Sequence, residues 1–308
     1  MAEAITIQEQ TGGSVRPGPL FTAFRFVRRY PLLPIAVILL MLVCGIFAPW
    51  IAPKDHLEQE LRARGAAPIW NPDWYVENPR VQGRYFLGAD QVGRDVLSRM
   101  IFGARISIMV VGVALGTGTI VGTTLGLLAG YFGGIIDEVI MRFWDMWAAT
   151  PFLLIALVIG VVIGNSIPIV MGLLAMVSWS AFVRNVRAEV LTLKEREYVA
   201  TARIAGAGPF RIILRHILPN VMNTIVVIAT LRVGGLILAE ASLGFLGVGI
   251  PKPTPTWGNM INDGRGYLDT AWWISFFPGL AIFMVVMSMN FFGDWLRDRW
   301  DPRLRQVG

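Results

Sequence analysis

Glu197–Asn220, EYVATARIAGAGPFRIILRHILPN, is a charged, helix-forming insert set between strongly apolar segments. From Lys194 to Ala205 the residues are good helix formers, and Gly206 followed by Pro209 is the pattern of a helix stop and a new start. Two short helices meeting at a Gly-centred bend are therefore expected. On the first, Tyr198, Ala202 and Ala205 share a face at helical spacing, while Lys194, Glu195 and Arg196 begin the helix in water. The small side chains of Ala200, Ala202, Ala205 and Ala207 would let another backbone approach closely. On the second, Phe210, Ile213, Leu214 and Ile217 make an apolar stripe with Arg211 and Arg215 beside it. An amphipathic connector resting on lipid headgroups is the alternative to a docking element.

The flanks of this insert define the class of protein. Hydrophobic residues make up 55% of the 308 and charged residues only 16%, with a mean hydropathy of +0.58. An ordinary soluble domain carries about a quarter charged residues, so the composition points to a polytopic membrane protein. Crossing a hydrocarbon core of roughly 30 Å takes about 20 helical residues. Apolar runs of that kind lie near Leu32–Pro53, Ile106–Gly130, Val139–Ile163, Ile167–Val183, Val221–Ile250 and Trp272–Phe292. The expectation is an all-α transmembrane helical bundle of six spans. It divides into a cytoplasmic tail (1–30), a first helix plus external loop (31–105), a core (106–296) with its loop at about 190–220, and a second tail (297–308). The first run starts too late and is too long for a cleaved signal peptide, so it is expected to be retained. Cys44 lies inside it as the single cysteine, which leaves no disulfide framework or thiolate metal site.

Orientation follows from Lys and Arg near the span ends. Arg16, Arg25, Arg28 and Arg29 precede the first run, seven basic residues from Arg184 to Arg215 occupy the insert, and Arg297, Arg299, Arg303 and Arg305 follow the last. With six spans these three regions share one side, which the rule makes cytoplasmic, both termini included. Lys54–Arg99 holds seven basic and seven acidic residues, a balance compatible with an external location. Topology thus accounts for the net charge of +6, and no aromatic-interleaved basic patch suggests nucleic acid.

Within the external segment, Gly88 and Gly93 mark turns and Asp95 is placed to cap a short helix entering the second span. That span carries Gly112, Gly116, Gly118, Gly122, Gly126 and Gly130, which suits close helix packing in lipid, within the chain or against a partner. Arg232 and Glu240 lie in the fifth span, two turns apart. Charges at that depth cost about 2.5–3.5 kcal/mol each and should face protein or water, so both are candidates for a pathway or a structural pair.

Three motifs carry a family resemblance. Ala200-Thr201-Ala202, Gly206 four residues later and Leu218-Pro219, with Pro219 thirteen beyond Gly206, resemble the cytoplasmic coupling loop of binding-protein-dependent ABC importers. The family's Glu is replaced by Ala200. Leu87-Gly88-Ala89-Asp90, Gly93-Arg94-Asp95, Ser98-Arg99 and Gly103-Ala104-Arg105-Ile106-Ser107 are similar to the signature of the second permease subunit in peptide and nickel importers. Glu240-Ala241-Ser242-Leu243-Gly244-Phe245-Leu246-Gly247 is similar to the end of that family's fifth helix.

The resemblance implies a type I ABC importer permease fold, and a homologous second permease enclosing a pathway with this chain. It also implies two cytoplasmic ATPases docked on the coupling loops, an external solute-binding protein, and location in a bacterial inner membrane. Tyr198, Ala200, Thr201, Ala202, Arg203, Gly206, Ala207 and Pro219 become the expected coupling residues. No Gly-x-x-x-x-Gly-Lys-Ser/Thr loop occurs, so ATP and magnesium are expected on the ATPases, and no catalytic or metal site is expected in this chain. His56 and His216, the two histidines, fall on opposite sides of the membrane in this topology. Peptides are the expected cargo. The rivals are the nickel branch and, from another class, an ion-coupled transporter built on Arg232 and Glu240, which would show inverted repeats or broken helices.

Overall fold

The computed structural model describes residues 31–81 and 83–300; the expected cytoplasmic tails at 1–30 and 301–308 lie outside the described residues. All of the described residues but 31 and 32 fall in one compact unit, Leu33–Gly308. The main regular elements among the described residues are helices, in the order α1 (Leu32–Ile46), α2 (Ala48–Ile51), α3 (Pro72–Glu77), α4 (Val96–Phe132), α5 (Gly134–Ala149) and α6 (Phe152–Val162). Then come α7 (Ile167–Leu193), α8 (Glu197–Ile204), α9 (Pro209–Phe245), α10 (Trp257–Gly264) and α11 (Trp273–Trp300). Four of these, α4, α7, α9 and α11, are long and apolar enough to cross a membrane, and α5 with α6 would make a fifth.

The expected boundaries are corrected in several places, each for a local reason. Where the first of six spans was expected, the chain forms the 15-residue apolar α1, shorter than a crossing helix, with α2 beyond a bend at Phe47. Pro49 cannot donate to the carbonyl one turn back, and the helix breaks there. The third span is not one helix: α5 and α6 meet at 80° around Thr150-Pro151. Thr150 is held extended (φ −96°, ψ 125°) by the following proline. The short helix foreseen before the second span is continuous with it as α4, whose N-cap is Asp95 as expected. Its carboxylate accepts from the Ser98 amide and hydroxyl, each at 2.7 Å. The fourth span extends to Leu193 and the sixth to Trp300, whereas the fifth ends at Phe245.

The bundle is organised around α4 against α7. Gly118, Gly122, Gly126 and Gly130 fall every fourth residue on α4 and meet Ser178, Trp179, Phe182, Val183, Val186 and Val190 of α7. A Cβ at Gly126 would stand 2.8 Å from the Val183 carbonyl oxygen, and one at Gly130 would stand 2.7 Å from the Val190 Cβ. The row of small residues therefore seats one backbone on the other at the four-residue ridge spacing. Gly112 and Gly116 face open space. A bidentate pair, Arg187 to Asp137 with its longer arm at 2.6 Å, clips the start of α5 to the last turns of α7. The outer faces remain apolar: Leu33, Ile120, Ile135 and Val161 are each more than two-thirds exposed. In water such surfaces would be an anomaly; against lipid or a second subunit they are ordinary.

The segment between α2 and α4 folds into a cap on α4, α10 and α11, with a buried ion cluster at its centre. The Asp90 carboxylate accepts from the Arg94 amide at 2.9 Å and the Arg94 Nε at 2.6 Å, and lies 3.6 Å from the Arg99 Nε. Arg94 also faces Asp263 at 3.7 Å, and Asp263 is held in turn by Lys252. Gly93 (φ +83°) makes the turn possible, since a side chain there would overlap the Glu60 carbonyl. Tyr85 donates to Glu60 at 2.7 Å, and burial together with this bond pushes its phenol well above the ordinary range. Indole donors close the cap: Trp257 to the Met100 carbonyl at 3.0 Å and Trp273 to the Ala89 carbonyl at 3.1 Å.

Two stability predictions follow from these contacts. Gly126→Val should overpack the α4–α7 seam at a cost of about 1–3 kcal/mol, while Gly112→Val, facing open space, should be near neutral. Asp90→Ala removes the carboxylate partner of the buried Arg99 and leaves Arg94 only its longer contact to Asp263, and should cost about 3–5 kcal/mol, whereas Lys252→Ala removes a largely exposed amine and should cost under about 1 kcal/mol. Thermal unfolding of the purified complex in detergent measures all four.

Candidate functional site

The insert between α7 and α9 is built as a bend with defined caps. α7 ends at Leu193, and Lys194 reaches back to donate to the Gly130 carbonyl at the end of α4, 3.2 Å away. The first insert helix, α8, therefore starts at Glu197, and Lys194, Glu195 and Arg196 form the turn before it rather than its first residues. It closes through the paired hydrogen bonds of a Schellman motif. The Ala207 amide donates to the Ala202 carbonyl and the Gly206 amide to the Arg203 carbonyl, each at 3.0 Å. Gly206 supplies the left-handed conformation this needs (φ +81°), as its place in the sequence implied. No atom lies within 4 Å of a Cβ placed there, so a substitution is opposed by backbone conformation and not by crowding. Gly208 caps α9, and Pro209 occupies its first turn.

The second short helix foreseen in the sequence is not separate. Pro209–Ile212 runs through a π-helical turn, Ile213–Ile217, directly into Leu218–Phe245, making α9 a single 37-residue helix. Pro219 explains the turn: its ring clashes with the carbonyl one α-turn back and it has no amide to donate, so the wider winding relieves the conflict. The Asn220 side-chain amide donates to the His216 carbonyl at 2.6 Å.

The winding also redistributes the apolar stripe. Ile212, Ile213 and Ile217 are buried, together with Val199 of α8, in a cluster with Leu127, Phe182, Val186 and Val190. Ala202 and Ala207 pack against the same cluster. Phe210 and Leu214 point outward, 67% and 61% exposed, and Ile204 is 88% exposed. Tyr198, Ala200, Thr201, Arg203 and Pro219 are on the surface. The outward face therefore consists of Tyr198, Ala200, Arg203, Ile204, Phe210 and Leu214; Ile204 is not among the expected coupling residues, since a single apolar residue carries no motif.

Arg232 and Glu240 are not brought together. Glu240 is 1% exposed, sealed against α4 with its carboxylate accepting from the Ser107 hydroxyl at 3.3 Å. Arg232 instead lines an open groove of about 690 Å³ between α7, α9 and α11. Asn220, Asn223 and Thr224 project from the same face of α9, and Asn185 and Glu189 project from α7. None of these asparagines had drawn notice in the sequence, since isolated amides in a long apolar run carry no motif. Among the described residues no group of three or more His, Cys, Asp or Glu could hold a metal ion.

Comparison with known proteins agrees with this architecture. Residues 122–306 match the family described as "Binding-protein-dependent transport system inner membrane component". The "Di/tripeptide transport system permease protein DppC" of Pseudomonas aeruginosa is 41% identical over 269 residues, covering 87% of this chain and 86% of that protein. The "Dipeptide transport system permease protein DppC" of Haemophilus influenzae is 38% identical over 278 residues, covering 90% and 92%. The "Glutathione transport system permease protein GsiD" of Pectobacterium atrosepticum is 38% identical over 282 residues, covering 91% and 90%. A chain of the inward-facing MetNI methionine ABC transporter shares the fold, with a TM-score of 0.53 at 19% identity over 68% of this chain and 96% of that one. The broken pair α5–α6 is the kind of feature expected of an ion-coupled transporter, yet it occurs here in another class. The chain belongs to the binding-protein-dependent transport system inner membrane component family.

Proposed function

We propose that this chain is the membrane-spanning permease subunit of an ATP-driven importer that moves peptides, working through its insert. The observation that carries the reading is the insert's outward face. Ile204, Phe210 and Leu214 are large, apolar and exposed in a segment flanked by Arg203, Arg211 and Arg215, as suits a surface awaiting a protein partner. The partners are two cytoplasmic ATPase subunits, which hold ATP and magnesium, a homologous second permease that completes the pathway, and an external binding protein that delivers the cargo. The peptide, dipeptide and glutathione systems named for the relatives support the class of substrate.

The insert and the groove are mechanically continuous. The docked turn Pro209–Ile212 and the groove residues Asn220 to Arg232 belong to one helix about 55 Å long. A push on the insert by closing ATPases is therefore delivered to the groove wall without crossing a flexible loop. The cluster of Val199, Ile212 and Ile217 with α4 and α7 makes the insert move together with the glycine-packed pair. Tyr198, Ala200, Thr201 and Arg203 touch the ATPase; Ala202, Gly206, Ala207 and Pro219 set the shape that is touched.

Two experiments test this reading. In the reconstituted importer, Phe210→Asp and Gly206→Val should abolish peptide uptake and lose the stimulation of ATP hydrolysis by loaded binding protein, while assembly with the second permease persists. The glycine change costs on the order of 1 kcal/mol in the cap, enough to redirect the bend but not to unfold the chain. Normal uptake by both variants would reduce the insert to a connector, and uptake of nickel in place of peptide would move the chain to the other branch. For orientation, cysteines at Thr192 and Val76 in a Cys44→Ser background should be labelled from opposite sides, Thr192 from the cytoplasm with the termini. Labelling of both by an impermeant reagent on intact cells would overturn the topology.

A further inference from the structure

We propose that Arg232 is a binding group for the carboxylate terminus of the passing peptide, at the end of a hydrogen-bonding groove farthest from the insert. The inference rests on the peptide-permease reading and gives its pathway a chemical specificity. Arg232 stands near the middle of Leu218–Phe245, half-buried, and makes no hydrogen bond or ion pair among the described residues. A guanidinium at that depth is expensive unless it faces an anion or water. Among the described residues the buried guanidiniums Arg94 and Arg99 have Asp90, and Glu240 accepts from Ser107 on one carboxylate oxygen while its other has no hydrogen bond.

The lining of the groove suits a peptide. Asn185, Asn220, Asn223 and Thr224 are uncharged and offer both donors and acceptors, which is what a mobile amide backbone requires, and Arg297 of α11 adds a second guanidinium to the same groove. Along α9 the polar positions 220, 223 and 224 lead up to Arg232, about 18 Å from Asn220. At 3.3–3.6 Å per extended residue, a di- or tripeptide is shorter than this ladder. It can therefore engage Arg232 by its carboxylate first and, once released, the amides at 224, 223 and 220 in turn on its way toward Glu189. Glu189 lies near the opposite end, with one carboxylate oxygen buried and without a hydrogen bond. Planar pairing makes arginine the side chain suited to a carboxylate, and a lysine keeps the charge without the fork.

The test uses the complete importer in proteoliposomes: this chain with the second permease, the ATPases and the binding protein. Uptake of alanyl-alanine and of its C-terminal amide is compared for wild type, Arg232→Gln and Arg232→Lys, each normalised to wild type. Loss of one charge-assisted bond should lower free-acid uptake by Arg232→Gln about tenfold, with amide uptake and ATP hydrolysis changed less than about twofold. Arg232→Lys should retain most free-acid uptake. Rescue by lysine at unchanged ATP hydrolysis carries the test even where the binding protein delivers little amide. Wild-type uptake by Arg232→Gln overturns the proposal, as does an equal loss for acid and amide. Failure of Arg232→Gln to assemble, with uptake and ATP hydrolysis lost together, also overturns it and makes Arg232 a tie to the second permease. A wild-type complex that takes up no peptide overturns the functional reading itself, a result distinct from any effect of the substitutions.

Discussion

The close seating of α4 on α7 is the constraint on which the rest depends. Where Gly122, Gly126 and Gly130 meet α7, its carbonyls and β-carbons occupy the space that larger side chains would need. In lipid no hydrophobic effect drives two apolar helices together, so shape at short range must supply the attraction. Once this pair is fixed, its inner end presents Leu127, Phe182, Val186 and Val190 as a floor, and the insert packs onto that floor through Val199, Ile212 and Ile217. At the other end the same α4 begins in the ion cluster of the cap. The insert and the cap are thus mounted at the two ends of one helix pair.

Much of this was legible in the residues. Asp95 as a cap and Gly206 as the end of α8 each follow from local rules, because a cap needs only its own turn. The repeated glycines announced close packing, but their partner could not be read, since a four-residue spacing is the same whether the opposing helix is in the chain or outside it. The break at Thr150-Pro151 was hidden because hydropathy is continuous through it and carries no angle. The outward set Phe210 and Leu214 was misassigned for a different reason: a period of 3.6 was applied across a turn whose bonds span five residues.

The buried ion cluster shows the same limit in reverse. Asp90, Arg94 and Arg99 were noticed as a motif, and their chemistry could have been any of several. Only the fold brings Asp263 and Lys252 to them and makes the motif a structural anchor for the external cap. Conversely, Arg232 and Glu240 looked alike as charges in one apolar run, and the packing separates them into a groove residue and a sealed one.

The π-turn at Ile213–Ile217 sets the angular phase between two faces of α9. Each residue of an α-helix advances the side chains by about 100°, and a π-turn is one residue inserted into that count. The face that carries Phe210 and Leu214 outward and the face that carries Asn223 and Arg232 into the groove therefore hold a relation that no straight α-helix of this sequence would give. Deleting a single residue from the turn would leave every side chain chemically intact and swing the groove's polar row around toward lipid. The helix is thus a keyed shaft: what its two ends recognise is joined by a count of residues, and the key is cut beside Pro219.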